Sequence, residues 1–535
     1  MSSFSPGQQA VKPAVHSDGG VVAAQHVGAA RVGAAVLAAG GNALDAAIAT
    51  SFAIGVLEPW MSGIGGGGLM VLRHADGRVE TLDAGMRAPA GLDPAAYRLA
   101  EGEAEGLFTW PAVEGDVNMS GPLAIAVPGL VDGLGVAHAA WGSHPWADLV
   151  APAIDLARRG LSVDWYASLI IGQAAVGLAR FEASRARFLP GGHPPPIGLV
   201  PGRNTRLPAP ALAETLEVIA RDGPRALHEG PLAEAVARDA AAVGSPLSAA
   251  DLAQTRARLR PPLAIGYRDA QIWATPELSA GPTLAHSLRL LSGFAPGATP
   301  DPGFYTAMAQ ALAGAYALRL TEMGDVDGGR DTGRDAGCTT HISVADRHGM
   351  TVSLTQTLLS VFGSMVTLPE TGILMNNGIF WFDPRPGGPN ALAPGKRCLA
   401  NMCPVVMEAG GRVTAIGASG GRRIMPAVAQ IAAFLGDFGM DLETALHMPR
   451  LDMSGGAAVT ADDTLPAPVI AALRAAFPVA VEKRSVFPNW FANISAAQSS
   501  AEAQSNAEAQ SAAGGQIGAT EPWLPWADAS AAPSH

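Results

Sequence analysis

"AGCTTHISVADRHGMTVSLTQT", residues 336–357, sets Thr339 and Thr340 at the start of one alternating run and Thr355 and Thr357 at the end of another. The central "RHG" reads as a turn, so the stretch predicts a β-hairpin. Pairing Ala345 with Thr351 across that turn sets Val344 opposite Val352 and Ile342 opposite Leu354, apolar against apolar on one face. The same register puts Thr339 opposite Thr357 on the polar face and Thr340 on the other. A register one residue off would set Ser343 against Val352, so the hydrophobic pattern selects the alignment.

A threonine hydroxyl is a poor nucleophile without a base beside it. An N-terminal threonine supplies its own base. Its α-amine, with a reference pKa of about 7.7 to 8, is partly neutral at pH 7 and can take the hydroxyl proton. That amine exists only after the Cys338–Thr339 bond is cut, and the same hydroxyl can cut it by attacking the preceding carbonyl. The plain alternative is a threonine-rich strand, since threonine is a common strand residue. His341, beside Thr339 on the polar face, reads as a structural strand histidine and is left out of the site.

Working outward, the chain has 535 residues, 48% hydrophobic and 15% charged, with 64 Gly and 42 Pro. That composition suits a tightly turned globular enzyme of several domains or one large layered α/β unit. The net charge of −12 comes without a Lys/Arg-rich stripe, which argues against a nucleic-acid partner. The N-terminal residues show no basic-then-apolar leader and no apolar run reaches the length of a membrane span, so a cytoplasmic protein without a membrane partner is expected. Three cysteines, Cys338, Cys398 and Cys403, build no disulfide framework or metal spacing, and neither a metal nor another cofactor is expected.

Residues 20–58 read as Ala-rich helices broken at Gly40-Gly41, with Asn42 as the N-cap of the second. The glycines Gly63, Gly65, Gly66, Gly67 and Gly68 lead into the apolar run Leu69 to Leu72 rather than into Gly-Lys-Ser/Thr and a helix. They read as close backbone packing at a strand start, not a phosphate cradle. Asp76-Gly77 is the turn of the hairpin that follows. From residue 128 to about 330 the pattern is mostly helical, strand character returns over 339–416, and helix over 426–446. Residues 495–515 are Ala/Ser/Gln-rich and read as a low-complexity loop or linker.

Taken together, "GGNALDAA", "GVLEPWMSGIGGGG", "AIAVPGLVDGL", "LVAPAIDLARRG", "CTTHISVADRHGMTVSLTQT", "GILMNN", "PGKR" and "GASGGRRI" resemble the γ-glutamyltranspeptidase family of N-terminal-nucleophile hydrolases, in order and spacing. The resemblance implies an α/β fold, a four-layer αββα sandwich. It implies self-processing into a large chain, residues 1–338, and a small chain, residues 339–535, that stay together as a heterodimer, with the low-complexity loop inside the small chain. By motif position Thr339 is the implied nucleophile and Thr357 the threonine that hydrogen-bonds it, while Gly420 and Gly421 fall on the oxyanion-hole pair.

The pocket for a γ-glutamyl group departs from the family pattern. The arginine expected after "LD" is Gly85, with Arg87 two residues on as a partial substitute. The asparagine two residues past the second threonine is Leu359. The polar and acidic residues after "NN" become Gly378 and Trp381, and the Ser-Ser pair after "KR" becomes Ala400-Asn401. Arg87, Leu359, Trp381 and Asn401 are therefore the candidate substrate-binding residues, although Leu359 and Trp381 equally suit a core. Arg422 and Arg423, after the oxyanion glycines, could meet a substrate carboxylate or serve the fold. "DPRPGGPNALAPGKR" lacks the lid insertion of some members, and an open site favours hydrolysis over transfer.

The expectation is a self-cleaving amidohydrolase acting on a small-molecule amide through an acyl-enzyme, with an acyl group other than classical γ-glutamyl. Cephalosporin-type acylases and oxamate amidohydrolase mark the range. A true γ-glutamyltransferase or glutathione hydrolase, and an uncut non-catalytic binding protein, are the alternatives.

Overall fold

The alternating runs form the hairpin that their pattern requires. In the computed structural model, which describes residues 10–103, 110–198, 200, 203–325, 338–486, 490–500 and 515–533, strands Cys338–Asp346 and Thr351–Leu359 pair antiparallel. Val344 faces Val352 and Ile342 faces Leu354.

This hairpin is the centre of a seven-stranded sheet, here the threonine sheet. Its order is Asp528–Ala531, Gly20–Ala24, Cys338–Asp346, Thr351–Leu359, Gly67–Arg73, Val79–Ala84 and Arg258–Arg260. A second seven-stranded sheet runs Val15–Ser17, Gln516–Thr520, Asn493–Ser500, Arg412–Ser419, Val405–Ala409, Ala270–Ala274 and Leu263–Tyr267. Residues from both sides of Cys338–Thr339 interleave in each sheet.

The two faces of the hairpin meet different neighbours. Ile342, Val344, Val352 and Leu354 join Met70, Leu72 and the helix residues Leu44, Ala47 and Ile48 in one apolar core. Burying each large aliphatic side chain there contributes about 1.5–3 kcal/mol. The opposite, polar face packs on the second sheet: Ser343 Oγ donates to the carbonyls of Ala415 (3.3 Å) and Ser495 (3.2 Å), and Ser353 Oγ to that of Ile416 (3.0 Å). The outer face of the second sheet is covered by helices Gly281–Leu291, Pro302–Glu322 and Ile424–Gly436 through a second apolar core. The layers are thus helix, sheet, sheet, helix, as expected.

Helix Ala43–Leu57 is apolar all round and buries thirteen of its 15 residues, the pattern of a helix enclosed on every side. Asn42 caps it: Asn42 Oδ1 accepts from the Asp45 N–H and Asp45 Oδ2 from the Asn42 N–H, both at 3.0 Å. The glycine run is close backbone packing. A Cβ on Gly66 would stand 2.1 Å from the Thr357 carbonyl oxygen, and one on Gly65 2.3 Å from that of Leu374.

Four expectations need correction. Gly20–Ala24 is a strand, not the start of a helix, because a five-residue apolar run carries no period that separates the two. Leu263–Tyr267 and Ala270–Ala274 are strands inside the region read as helical. Within 339–416, residues 360–404 form irregular backbone and a short turn, Gly378–Trp381, held by side chains such as Asn376, whose Nδ2 donates to the carbonyls of Gly65 (2.7 Å) and Ala126 (2.8 Å). The segment read as low complexity begins within a strand, Asn493–Ser500, buried over residues 493–499, because alanines and serines are what two closely packed sheets admit; residues 501–514 lie outside the described residues. Among the described residues no helix is long and apolar enough to cross a membrane.

Candidate active site

The hairpin ladder breaks at the predicted nucleophile. Thr340 pairs with Gln356 but Cys338 pairs with Leu359, so Thr357 and Leu358 together oppose the single Thr339. Such a bulge re-aims a side chain and ends regular pairing. Thr339 is 3% exposed, and its Oγ1 lies 3.2 Å from Thr357 Oγ1. The Leu359 N–H donates to the same Thr357 oxygen at 2.8 Å. Leu359 takes φ +84°, a left-handed conformation rare for a bulky residue and found where surroundings enforce it. The Leu358 N–H finds the Met61 carbonyl at 3.1 Å.

The glycine pair follows strand Arg412–Ser419 of the second sheet, which packs on the polar face of the hairpin. Ser343 stands over Ala415. His341 stands over Gly417, where a Cβ would meet the imidazole at 2.3 Å. Continuing the stagger sets Thr339 level with Ser419, immediately before Gly420 (φ +133°) and Gly421 (φ +64°). Those positive φ values turn the chain sharply out of the strand into the helix Ile424–Gly436. Tyr316 Oη fixes the turn by donating to the Arg422 carbonyl at 2.5 Å.

His341 is structural, as expected. Its ring bonds Thr355 Oγ1 (2.8 Å) and Ser343 Oγ (2.9 Å), and complete burial pushes its pKa down to about 3, so it is neutral. Thr340 points the other way, 3.4 Å from Glu58 Oε2. Glu58 is fully buried, and desolvation raises its carboxyl well above the usual range.

The candidate pocket residues fall into two groups. Leu359 and Trp381 are buried in an apolar cluster with Leu69, Ala400 and Met402, beside the threonine pair. Asn401 is 4% exposed, its Oδ1 accepts from Arg319 Nη2 at 3.2 Å, and its Nδ2 has no partner among the described residues. Arg87 is half-buried, and its Nη2 donates to the Gly395 carbonyl at 3.0 Å. Gly85 follows Ala84, which pairs with Gly68. Arg422 is bound to the Ser454 carbonyl (3.1 Å), and Arg423 lies over the Trp490 ring at 5.8 Å. Residues 326–337 and the Cys338 side chain lie outside what is described, so the chain just before Thr339 is known only through the Cys338 backbone. Among the described residues no cluster of metal-ligating side chains occurs.

Sequence reasoning missed Gln25, Glu58 and Arg319, all fully or nearly fully buried near these residues. Each acts on a partner tens to hundreds of positions away, and only the odd placement of a polar residue in an apolar run ("VVAAQH", "GVLEPW") signals it.

The family model for γ-glutamyltranspeptidase matches residues 29–332 and 328–516. The chain is 36% identical over 496 residues to the "Acylase ACY 1 proenzyme" of Pseudomonas sp. (strain SE83), covering 86% of this chain and 87% of the relative. It is 29% identical over 509 residues to the "Glutathione hydrolase proenzyme" of Bacillus subtilis (strain 168), covering 85% and 84%. In fold it is similar to the crystal structure of cephalosporin acylase from Bacillus halodurans, with TM-score 0.83 and 24% identity over 100% of this chain and 99% of that one. The chain belongs to the γ-glutamyltranspeptidase family of N-terminal-nucleophile amidohydrolases.

Proposed function

We propose that Thr339 is the nucleophile of both self-cleavage and amide hydrolysis, and that the acyl group is not the classical γ-glutamyl one. The observation that carries the first part is the 3.2 Å contact between Thr339 and Thr357 at the end of the hairpin. In the precursor the Thr339 hydroxyl attacks the Cys338 carbonyl, the Cys338–Thr339 C–N bond breaks and the nitrogen takes the hydroxyl proton, giving an ester and a free α-amine on Thr339; water then hydrolyses the ester, leaving a carboxylate on Cys338 and restoring the Thr339 hydroxyl. That amine then takes the hydroxyl proton as the oxygen attacks a substrate amide. The tetrahedral intermediate is stabilised by the N–H groups of Gly420 and Gly421, and its collapse releases the amine product with the proton. Water then frees the acyl group. Thr357 holds the attacking oxygen in line.

The two chains, residues 1–338 and 339–535, remain together because strands from both form each sheet. Separating them would expose both apolar cores.

The acyl specificity rests on the wall beside the threonines. Leu69, Leu359, Trp381 and Ala400 form an apolar surface where a zwitterionic amino-acid end would need paired polar groups. Leaving such charged ends unpaired costs about 1–3 kcal/mol for each lost contact. Asn401 Nδ2, buried and unpaired among the described residues, is the donor offered to the acyl chain, and Arg87 the cation for a distal carboxylate. The match to an acylase proenzyme supports this reading. Release of p-nitroaniline from glutaryl and γ-glutamyl p-nitroanilides, alongside an oxamyl amide, tests it. The expected result is a kcat/KM at least about tenfold higher for an acyl group lacking the α-ammonium; a large preference for γ-glutamyl would overturn the specificity reading.

A further inference from the structure

Gln25 follows the strand Gly20–Ala24, whose register sets Val22 opposite Val344 and Ala24 opposite Ile342. The next step brings Gln25 level with His341, and antiparallel partners share a face. Its fully buried side chain therefore enters the layer between the sheets, the layer that holds the Thr339 and Thr357 hydroxyls. There Gln25 Nε2 donates to Ser419 Oγ at 2.5 Å and to the Asn493 carbonyl at 3.2 Å. A carbonyl only accepts, so the amide orientation is fixed: its NH2 faces the second sheet. Gln25 Oε1 is left buried and without a hydrogen-bond partner among the described residues. Ser419, to which the amide is anchored, is the residue that the stagger of the sheets sets level with Thr339.

A buried acceptor with nothing to accept is costly unless a donor arrives. Scission creates donors at this level of the sheet. In the uncut chain the Thr339 nitrogen carries one N–H; as a free amine it carries two, and as an ammonium three.

We propose that Gln25 Oε1 accepts an N–H of the α-amine that scission creates on Thr339, making Gln25 the positioning residue for the catalytic base. The inference rests on Thr339 being the nucleophile. Gln25 makes and breaks no covalent bond. Its hydrogen bond turns the amine lone pair toward Thr339 Oγ1, whose proton passes to that nitrogen while the oxygen electron pair attacks the substrate carbonyl.

The other ionisable groups around Thr339 leave the amine to govern the acid limb of the rate. On the same sheet His341 stays neutral and Asp83 is paired with Arg397 at 2.8 Å. From the helix side Glu58 reaches Thr340, not Thr339. Beyond the glycine turn stand Arg422, Arg423 and Asp452, the last with its carboxyl raised by burial.

The test compares cleaved wild-type enzyme with Gln25→Leu and Gln25→Glu, using glutaryl and γ-glutamyl p-nitroanilides and full pH profiles of kcat/KM. All three proteins should appear as two bands on a denaturing gel, because the amine plays no part before the cut. Gln25→Leu should lose about tenfold in kcat with KM within about twofold, and its acid limb should move down by about half a unit or more, since the ammonium loses an acceptor. Gln25→Glu, of the same shape, should move the acid limb up, and it decides the matter if the leucine variant does not fold. An acid limb unmoved in Gln25→Glu, or a Gln25→Leu enzyme with kcat within twofold of wild type, overturns the role of Gln25 alone. An uncut wild-type chain with full activity overturns the Thr339 reading and this one with it.

Discussion

Thr339 and Thr357 meet through their hydroxyl oxygens at 3.2 Å, across a bulge in which Thr357 and Leu358 oppose the single residue Thr339. Thr357 Oγ1 also accepts the Leu359 N–H at 2.8 Å, so one hydroxyl ties Thr339 to the backbone of the bulge. In the proposed mechanism, replacing Thr357 with Ala removes the hydroxyl bonded to Thr339 Oγ1, the oxygen on which charge builds as it attacks. A bond of that kind is worth about 1.5–3 kcal/mol, so kcat should fall roughly tenfold to a hundredfold. Thr357→Ser should restore most of it. Steady-state kinetics of the two variants checks this, and an unchanged kcat in Thr357→Ala would remove Thr357 from the mechanism.

Leu359 adopts φ +84° while its side chain is fully buried in the apolar wall. Asparagine tolerates that conformation better than leucine and offers a polar amide. Leu359→Asn should therefore fold and raise the ratio of γ-glutamyl to glutaryl hydrolysis by about threefold or more. Parallel assays of the two p-nitroanilides read this ratio directly.

His341 carries a pKa near 3 because burial disfavours its charged form. Unfolded, it protonates near its ordinary value of about 6.5. Between those values the unfolded chain binds a proton that the folded chain does not, so stability falls as pH drops below about 6.5, by up to about 1.4 kcal/mol per unit from this residue. Denaturant unfolding at pH 7 and pH 5 should show a steeper loss for wild type than for His341→Gln. Equal losses would mean that the imidazole is protonated in the folded protein.

Gly417 sits under the same ring, and a Cβ there would lie 2.3 Å from His341 Cε1 and 2.4 Å from Nδ1. Gly417→Ala should destabilise by about 1–3 kcal/mol, because neither sheet can withdraw without breaking its ladder. Gly266→Ala, in the edge strand Leu263–Tyr267 where a Cβ meets nothing within 4 Å, should stay within about 0.5 kcal/mol. Thermal melts of both variants make the comparison.

The hairpin was legible because both of its faces are buried but against different partners, so the period of two survives: aliphatic toward the helices, Ser and Thr toward the second sheet. The Asn42 cap and the glycine run were legible for local reasons, a capping box and a backbone too crowded for a Cβ. Gly20–Ala24 was not, since "GVVAA" is buried on both faces and loses the alternation. Nor was Asn493–Ser500, whose small residues mimic a linker and are set by the narrow gap between sheets. Register reasoning placed Thr339 against Thr357 but could not show the extra residue, Leu358, because a bulge leaves no mark on hydrophobic pattern. Motif position named Arg87 and Trp381 together, whereas Trp381 lies in the apolar cluster with Leu359 and Arg87 spends an N–H on the Gly395 carbonyl. Gln25 and Glu58 depend on contacts across the fold that no local pattern encodes.

The central claim is that the backbone breaks between Cys338 and Thr339 and that the new terminus does the chemistry. Intact-mass measurement of purified wild type and Thr339→Ala, with amide hydrolysis assayed on the same samples, addresses it most directly. The account predicts two chains of residues 1–338 and 339–535 and activity in wild type, and one inactive full-length chain in the variant. A wild-type polypeptide that stays whole while hydrolysing amides at full rate would contradict it.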